Sequence, residues 1–130
     1  MRPHTPILLY CANRELLSTL AFALRLHPYC VTAVDDGVEA SLLARDRCAA
    51  FACAVLVHAQ QGDLAGRLIH RFLESALLMP LLLVDCAGDL APVRYADMVL
   101  YGRNTTTAHI LASLRVLCYR KPGPRPRSAA

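Results

Sequence analysis

Uninterrupted apolar runs are the main pattern in this chain. The run at 51–57 (Phe-Ala-Cys-Ala-Val-Leu-Val) has only apolar residues, and a second run occupies 80–84. A strand covered on one face alternates apolar and polar side chains, whereas a strand covered on both faces is apolar throughout. Both runs therefore predict central strands of a parallel sheet with helices on each side. His58 follows the first run, where open α/β sheets carry ligands and chemistry.

Helical periodicity alternates with these strands along the chain. The predicted order is a strand at 6–10, a helix at 14–26, a strand at 29–34, a helix at 38–47, a strand at 51–57, a helix at 66–76, strands at 80–84 and 97–101, and a last helix capped by Asn104 or Thr105. This regular alternation of strands and helices predicts a parallel sheet with right-handed crossovers.

The helices show apolar faces at helical spacing. Leu16, Leu20 and Leu24 recur every four residues after Asn13, which is the predicted N-cap of the first helix. The corresponding faces of the second and last helices are formed by Val38 and Leu42 and by Ile110, Leu114 and Leu117, with Leu111 and Cys118 beside the latter. These faces predict how the helices pack on the sheet.

The composition favours a globular domain in the cytoplasm. Hydrophobic residues make up 55% of the 130 residues, which a sheet buried on both faces explains without a membrane. The longest apolar run, 76–84, is too short to span a bilayer, and the first residues lack a secretory signal. The six cysteines are then expected to be reduced, with Cys30, Cys53 and Cys118 in the core.

The positive charge is concentrated at one end of the chain. The formal net charge is +4, and residues 120–130 carry four basic residues and no acid. We expect a domain at 1–119 and a disordered basic Pro/Arg tail at 120–130. Because the domain itself is about neutral, it offers no basic face, and nucleic-acid binding is not expected of it. Weak contact of the tail with nucleic acid or an acidic protein is the alternative.

The order of motifs resembles the receiver domain of two-component response regulators, up to the tail. The motifs are Ile-Leu-Leu-Tyr at 7–10 before a polar helix start, Tyr-Cys-Val-Thr-Ala-Val-Asp-Asp-Gly at 29–37 followed by Glu39 and Ala40, the loop at 60–66, and Pro-Leu-Leu-Leu-Val-Asp at 80–85. The resemblance implies a CheY-like, flavodoxin-like doubly wound sheet of order 2-1-3-4-5. It also implies a role in bacterial two-component (phosphorelay) signal transduction.

The residues at the family's phosphorylation site differ from the family's own. The Mg²⁺-binding acidic pair of the family corresponds here to Cys11 and Ala12, and the phosphoacceptor aspartate corresponds to His58. The family's hydroxyl residue corresponds to Asp85. Its lysine corresponds to Gly102, with Arg103 one place further on. Mg²⁺ prefers oxygen ligands, and Cys11, Ala12 and His58 offer no side-chain oxygen. The resemblance therefore implies a degenerate pseudo-receiver that takes no aspartyl phosphate, has no enzymatic activity and needs no cofactor.

The segment between Asp85 and Gly102 is shorter than receivers normally use for their fourth helix. Gly88 and Pro92 within it disfavour a helix, so we expect that helix to be shortened or missing. In the family, this region belongs to the surface that reads out phosphorylation. We therefore expect a remodelled surface that binds a protein partner, with homodimerisation through the fifth strand and the last helix as one form.

Two functional hypotheses remain for the altered pocket. In the first, His58 and Asp85 form a hydrogen-bonded structural pair in a non-catalytic module that acts by protein–protein interaction. In the second, the pocket senses a ligand or a transition metal through His58, Asp85, Cys11 and Cys86. A phosphohistidine at His58 and a redox role for Cys11 and Cys86 are weaker alternatives.

Overall fold

The computed structural model describes residues 4–58, 79–86, 97–102 and 106–118. The elements are β1 Thr5–Cys11, α1 Arg14–Arg25, β2 Tyr29–Val34, α2 Gly37–Arg47, a 3₁₀ turn Cys48–Ala50, β3 Cys53–His58, β4 Leu81–Asp85, β5 Met98–Tyr101 and α3 Thr107–Cys118. The predicted helix at 66–76, the shortened segment at 87–96 and the tail at 120–130 lie outside the described residues. Within the described ranges, each predicted strand and helix is present, with ends that differ by a few residues.

The five strands form one parallel sheet of order β2-β1-β3-β4-β5. This is the doubly wound, flavodoxin-like order, and the predicted fold class is confirmed. Because all strands run the same way, their carboxyl ends meet at one edge of the sheet. We call this the carboxyl edge; it carries Cys11, His58 and Asp85.

The central strands are buried on both faces, as their continuous apolar sequences predict. Every residue of β3 and β4 is buried. Side chains alternate between the two faces of a strand. Leu9, Val55 and Val84 belong to the cluster that includes α1 and α3, which we call the first face. Leu8 and Leu56 belong to the cluster that includes α2, which we call the second face.

Helix α1 begins at the predicted cap. The Leu16 N–H donates to Asn13 Oδ1 at 3.1 Å, and Glu15 lies in the first turn, where a negative charge favours the helix dipole. At the other end, Arg25 Nη2 donates to the Val31 carbonyl at 2.9 Å. The helix is thus held at its start by its own cap and at its end by edge strand β2.

Helix α2 packs on the sheet through small residues rather than through the face that we predicted. Val38 and Leu42 are 56% and 44% exposed, whereas Ala40 and Ala44 are buried. The predicted face was wrong because Ala40, Leu43 and Ala44 form a second apolar stripe at helical spacing, and this stripe is the one that meets the second-face cluster. The start of α2 was predicted well, since Asp36 Oδ1 accepts the Val38 N–H at 3.1 Å.

Helix α3 has the predicted inward face but a different cap. Ile110, Leu114 and Leu117 are buried, as expected. The His109 N–H donates to Thr106 Oγ1 at 3.4 Å, and the Ile110 N–H donates to the Thr106 carbonyl at 3.2 Å. Thr106 is therefore the N-cap, in place of Asn104 or Thr105. Three consecutive threonines follow Asn104, and their sequence alone does not select one.

The cysteines divide between core and surface. Cys53 is fully buried, and Cys118 is half-buried against the first-face cluster, as expected for core positions. Cys30 is exposed, which corrects its predicted place in the core. It lies on edge strand β2, where burial alternates from one residue to the next.

None of the helices in the described ranges has the length and apolar character that a membrane crossing requires.

Candidate functional site at the carboxyl edge of the sheet

His58 and Asp85 lie side by side at the carboxyl edge. They are the last residues of β3 and β4 and are opposite each other in the strand register. Each side chain is only 1% exposed. The Cys86 N–H donates to the His58 carbonyl and the Gly102 N–H to the Asp85 carbonyl, both at 3.0 Å. The neighbouring backbones thus extend the ladder past both residues and fix their positions.

The alternation of the strands places both residues on the second face. His58 follows Leu56 by two positions, and Asp85 follows Leu83 by two, and both leucines belong to the second-face cluster. Two adjacent, equally buried side chains on one face are the arrangement that the predicted His58–Asp85 hydrogen bond requires. The bond itself stays a prediction.

Cys11 lies on the other side of the sheet. It packs in the first-face cluster with Leu9 and is fully buried, while the next residue, Ala12, is exposed. The structure therefore does not bring Cys11 to the face that carries His58 and Asp85. No three His, Cys, Asp or Glu side chains in the described ranges are grouped so that they could hold a metal ion.

Cys86 packs, partly buried, against the same first-face cluster as Cys11. Burial is the main cause that raises the pKa of both thiols; each is raised further by a neighbouring negative charge, from Cys86 at Cys11 and from Asp85 at Cys86. Metals and oxidants react with the thiolate form. The environment of these two residues therefore disfavours the metal and redox roles considered for them.

Gly102 has a backbone conformation that suits glycine. Its φ is +100°, the only positive φ among the described residues, and a Cβ placed there would meet no atom within 4 Å. Space is therefore available, but the left-handed backbone would strain any residue with a Cβ, including lysine. Arg103, one place further on, lies outside the described residues.

The sequence interpretation overlooked Tyr10. This buried tyrosine belongs to the second-face cluster, as the strand alternation also requires for His58 and Asp85. Burial raises its pKa, with added contributions from Cys11, Asp36 and Asp35. The alternation of side chains along β1 could have identified Tyr10. It follows Leu8 by two positions, so both side chains lie on the same face.

The acidic residues at this edge follow β2 rather than β1. Asp35 accepts a hydrogen bond from Arg14 Nε at 2.6 Å in an exposed ion pair, and Asp36 caps α2. Both carboxylates therefore have structural partners. At the end of β1 the chain has Cys11 and then Ala12, neither of which is acidic.

The sheet order and the flanking helices are those of a CheY-like fold. No protein-family model matches the chain, and no curated protein matches it in sequence. Solved structures do: a response regulator receiver domain protein from Clostridium thermocellum superposes with a TM-score of 0.74 at 15% identity, covering 90% of this chain and 96% of that one.

Two further receiver structures show the same similarity. The signal receiver domain of an HD domain-containing protein from Pseudomonas fluorescens has a TM-score of 0.71 at 18% identity and covers 91% of this chain and 89% of its own. The receiver domain of a sensor histidine kinase from Pseudomonas aeruginosa, with a magnesium ion coordinated in its active site cleft, has a TM-score of 0.69 at 18% identity, covering 88% and 97%. The chain therefore has the fold of response regulator receiver domains.

Proposed function

We propose that this chain is a non-catalytic signalling module with a receiver fold, which acts by binding another protein independently of aspartyl phosphorylation. The observation that carries the proposal is the buried His58 in register with the buried Asp85. If the likeness to receivers extends to the site, an imidazole stands where they carry the phosphoacceptor carboxylate. A carboxylate stands where they carry a hydroxyl.

The charge distribution supports this proposal. A phosphoryl group at the end of β3 would bring negative oxygens next to Asp85, and like charges at such short range are unfavourable. In receivers, Mg²⁺ and a lysine offset that charge. Here Cys11 points to the first face, and Gly102 has no side chain. Neither offsets the repulsion.

The proposed partner surface includes α3 and β5. Val116 is 58% exposed on α3, and Leu111 is only partly buried beside the core face. We propose that these apolar side chains contact a protein partner, which is a regulatory protein or a second copy of this chain. The predicted shortening of the segment before β5 would widen this surface, but the segment lies outside the described residues.

The alternative function, sensing of a ligand or metal through His58, Asp85 and Cys11, has weaker support. Cys11 faces away from the other two residues, and its thiol pKa is raised by burial. Zinc sites in proteins need three or four ligands directed at one point. A calorimetric titration with Zn²⁺ would support this alternative if it gave a stoichiometric site that is lost in His58→Ala.

The phosphorylation experiment uses the purified chain with acetyl phosphate and Mg²⁺, followed by intact mass measurement. We expect no added phosphoryl group. The matched variant carries Cys11→Asp, Ala12→Asp, His58→Asp and Asp85→Thr together, which removes the repelling carboxylate, and phosphoryl uptake by this variant would show that the assay can detect the reaction on this fold. A hydroxylamine-sensitive phosphoryl group on the unaltered chain would overturn the proposal.

The binding part of the proposal needs its own experiment. Candidate regulatory proteins are tested for binding to the full chain, with and without residues 120–130. Binding that survives removal of the tail and is lost in Leu111→Glu would support a surface on the domain. Binding that depends only on the tail would contradict it.

A further inference from the structure

The first face of the sheet brings two distant cysteines together. Cys53 is the first residue of β3, and its side chain lies in the first-face cluster. Helix α3 packs on the same face and ends at Cys118, which packs against that cluster. A helix that follows a parallel strand runs back toward the amino ends of the strands, so the end of α3 reaches the start of β3.

The two thiols lie close enough in this cluster to affect each other's titration. Hydrogen bonding to Cys53 lowers the pKa of the Cys118 thiol, while the same interaction and burial raise that of Cys53. Cys53 Sγ also donates to the Ala54 carbonyl oxygen at 3.5 Å. Cys118 is therefore the better nucleophile of the two, and it is also the more exposed.

We propose that Cys53 and Cys118 form an intramolecular disulfide when a low-molecular-weight hydroperoxide reaches the half-exposed Cys118. The proposal concerns a modification site at the opposite edge of the sheet from His58 and Asp85, and it does not depend on the proposed signalling function. Reducing compartments use such bonds transiently, as redox sensors rather than as permanent links.

The chemistry balances in two steps. The Cys118 thiolate attacks one peroxide oxygen, the O–O bond breaks, and the leaving oxygen takes a proton to become water or an alcohol. Cys118 is then a sulfenic acid. The Cys53 sulfur attacks the Cys118 sulfur, the S–O bond breaks, and the Cys53 proton leaves with the hydroxyl group as water. Two thiols have lost two electrons, and the hydroperoxide has gained them.

Three of the four other cysteines serve as internal controls. Cys30 is exposed but lies on edge strand β2, away from α3. Cys11 and Cys86 are near each other, but both of their thiol pKa values are raised. Oxidation without selectivity would first modify Cys30, whereas oxidation guided by the geometry would link Cys53 to Cys118.

The test treats the reduced full chain with hydrogen peroxide, blocks the remaining thiols and maps disulfides by mass spectrometry. We expect the Cys53–Cys118 link in the unaltered chain and in Cys30→Ser, absent from Cys118→Ser and Cys53→Ser, and reversed by dithiothreitol. Cys53 is buried, so its variant could misfold. If it does, loss of the link in Cys118→Ser, at a half-exposed position, is the deciding result. A Cys11–Cys86 link, a Cys30-linked dimer or stable sulfinic acid at Cys118 as the main product would overturn the proposal.

Thermal unfolding gives an independent readout. A crosslink over this long chain segment restricts the unfolded state, and we expect Tm to rise by about 10 °C in the oxidised chain. Cys30→Ser should show the same rise, and Cys118→Ser none. A fall in Tm on forming the link would show that the native geometry does not accept the bond.

Discussion

The two faces of the sheet are covered in different ways. The first face packs against large aliphatic side chains of α1 and α3, such as Leu24 and Leu114. Within the described residues, the second face packs against Ala40, Ala44 and the partly buried Leu43 of α2, and its carboxyl edge carries the buried His58 and Asp85. One face is thus a conventional apolar layer, while the other combines a closely packed helix with buried polar groups. His58 and Asp85 therefore belong to one face only.

This division also explains why the candidate site is not one cluster. Strand alternation sends Cys11 to the first face and His58 to the second, although the two residues lie at the same edge. A correspondence of positions with a known family therefore does not guarantee a correspondence of contacts. The buried thiols of Cys11 and Cys53 lie on the first face, and the buried His58 and Asp85 lie on the second.

Truncating the first-face core should have the largest effect. Leu114→Ala removes a fully buried side chain from α3, and we expect it to lower the free energy of unfolding by about 2–5 kcal/mol. Urea unfolding followed by circular dichroism measures the change. The exposed neighbour Val116→Ala is the control and should change stability by less than about 0.5 kcal/mol. Equal effects of the two changes would contradict the assigned face of α3.

Overpacking the second face should be the next largest effect. Ala44→Leu forces a larger side chain between α2 and the sheet, at a cost of about 1–3 kcal/mol in the free energy of unfolding. Leu42→Ala on the exposed side of α2 is the matched control and should be nearly neutral. If Ala44→Leu were stabilising, the close approach of α2 would be wrong.

The polar edge of the second face can be tested by a double-mutant cycle. His58→Ala should cost about 1–3 kcal/mol, because it leaves the buried Asp85 carboxylate without the donor that we predict. Changing Asp85→Ala as well should recover part of that loss. The same urea unfolding experiment measures all three variants. Strictly additive effects would show that the two side chains do not interact.

The smallest expected effect on the fold tests the partner surface. Leu111→Glu on α3 is partly exposed and should cost under about 1 kcal/mol in stability. If the chain self-associates, this variant should weaken the dimer at least about tenfold, measured by sedimentation equilibrium, because it places a charge in an apolar contact. Leu42→Glu on α2 is the control. A dimer weakened equally by both changes would exclude an interface specific to α3.

Much of the fold could be predicted because the strands are apolar throughout. The runs that became β3 and β4 are long enough to define central strands, and the order of strands and helices then restricts the topology. The cap at Asn13 was also predictable, since it is a single polar residue immediately before a clear leucine repeat. Both are local sequence patterns. They predict structure well here because the strands are apolar throughout and the helix has a regular leucine repeat.

The predictions were wrong where packing against the rest of the fold determines which side chains are buried. Val38 and Leu42 are spaced as a core stripe would be, yet neighbouring small residues allow α2 to approach the sheet with its other side. Cys30 has a residue type that is usually buried, but it lies on an edge strand. Cys53 and Cys118 meet in one cluster although they are far apart in sequence, so no spacing rule indicates their proximity. The adjacency of His58 and Asp85, in contrast, follows from topology alone.

The bond from Arg25 to Val31 has a consequence for solubility. β2 forms one edge of the sheet, and an exposed edge can recruit a strand from another molecule and begin aggregation. Arg25 occupies the Val31 carbonyl and places a guanidinium group at that edge. An incoming strand would have to displace this bond and approach a positive charge. The hydrogen bond from the end of α1 therefore opposes the addition of a strand from another molecule at this edge.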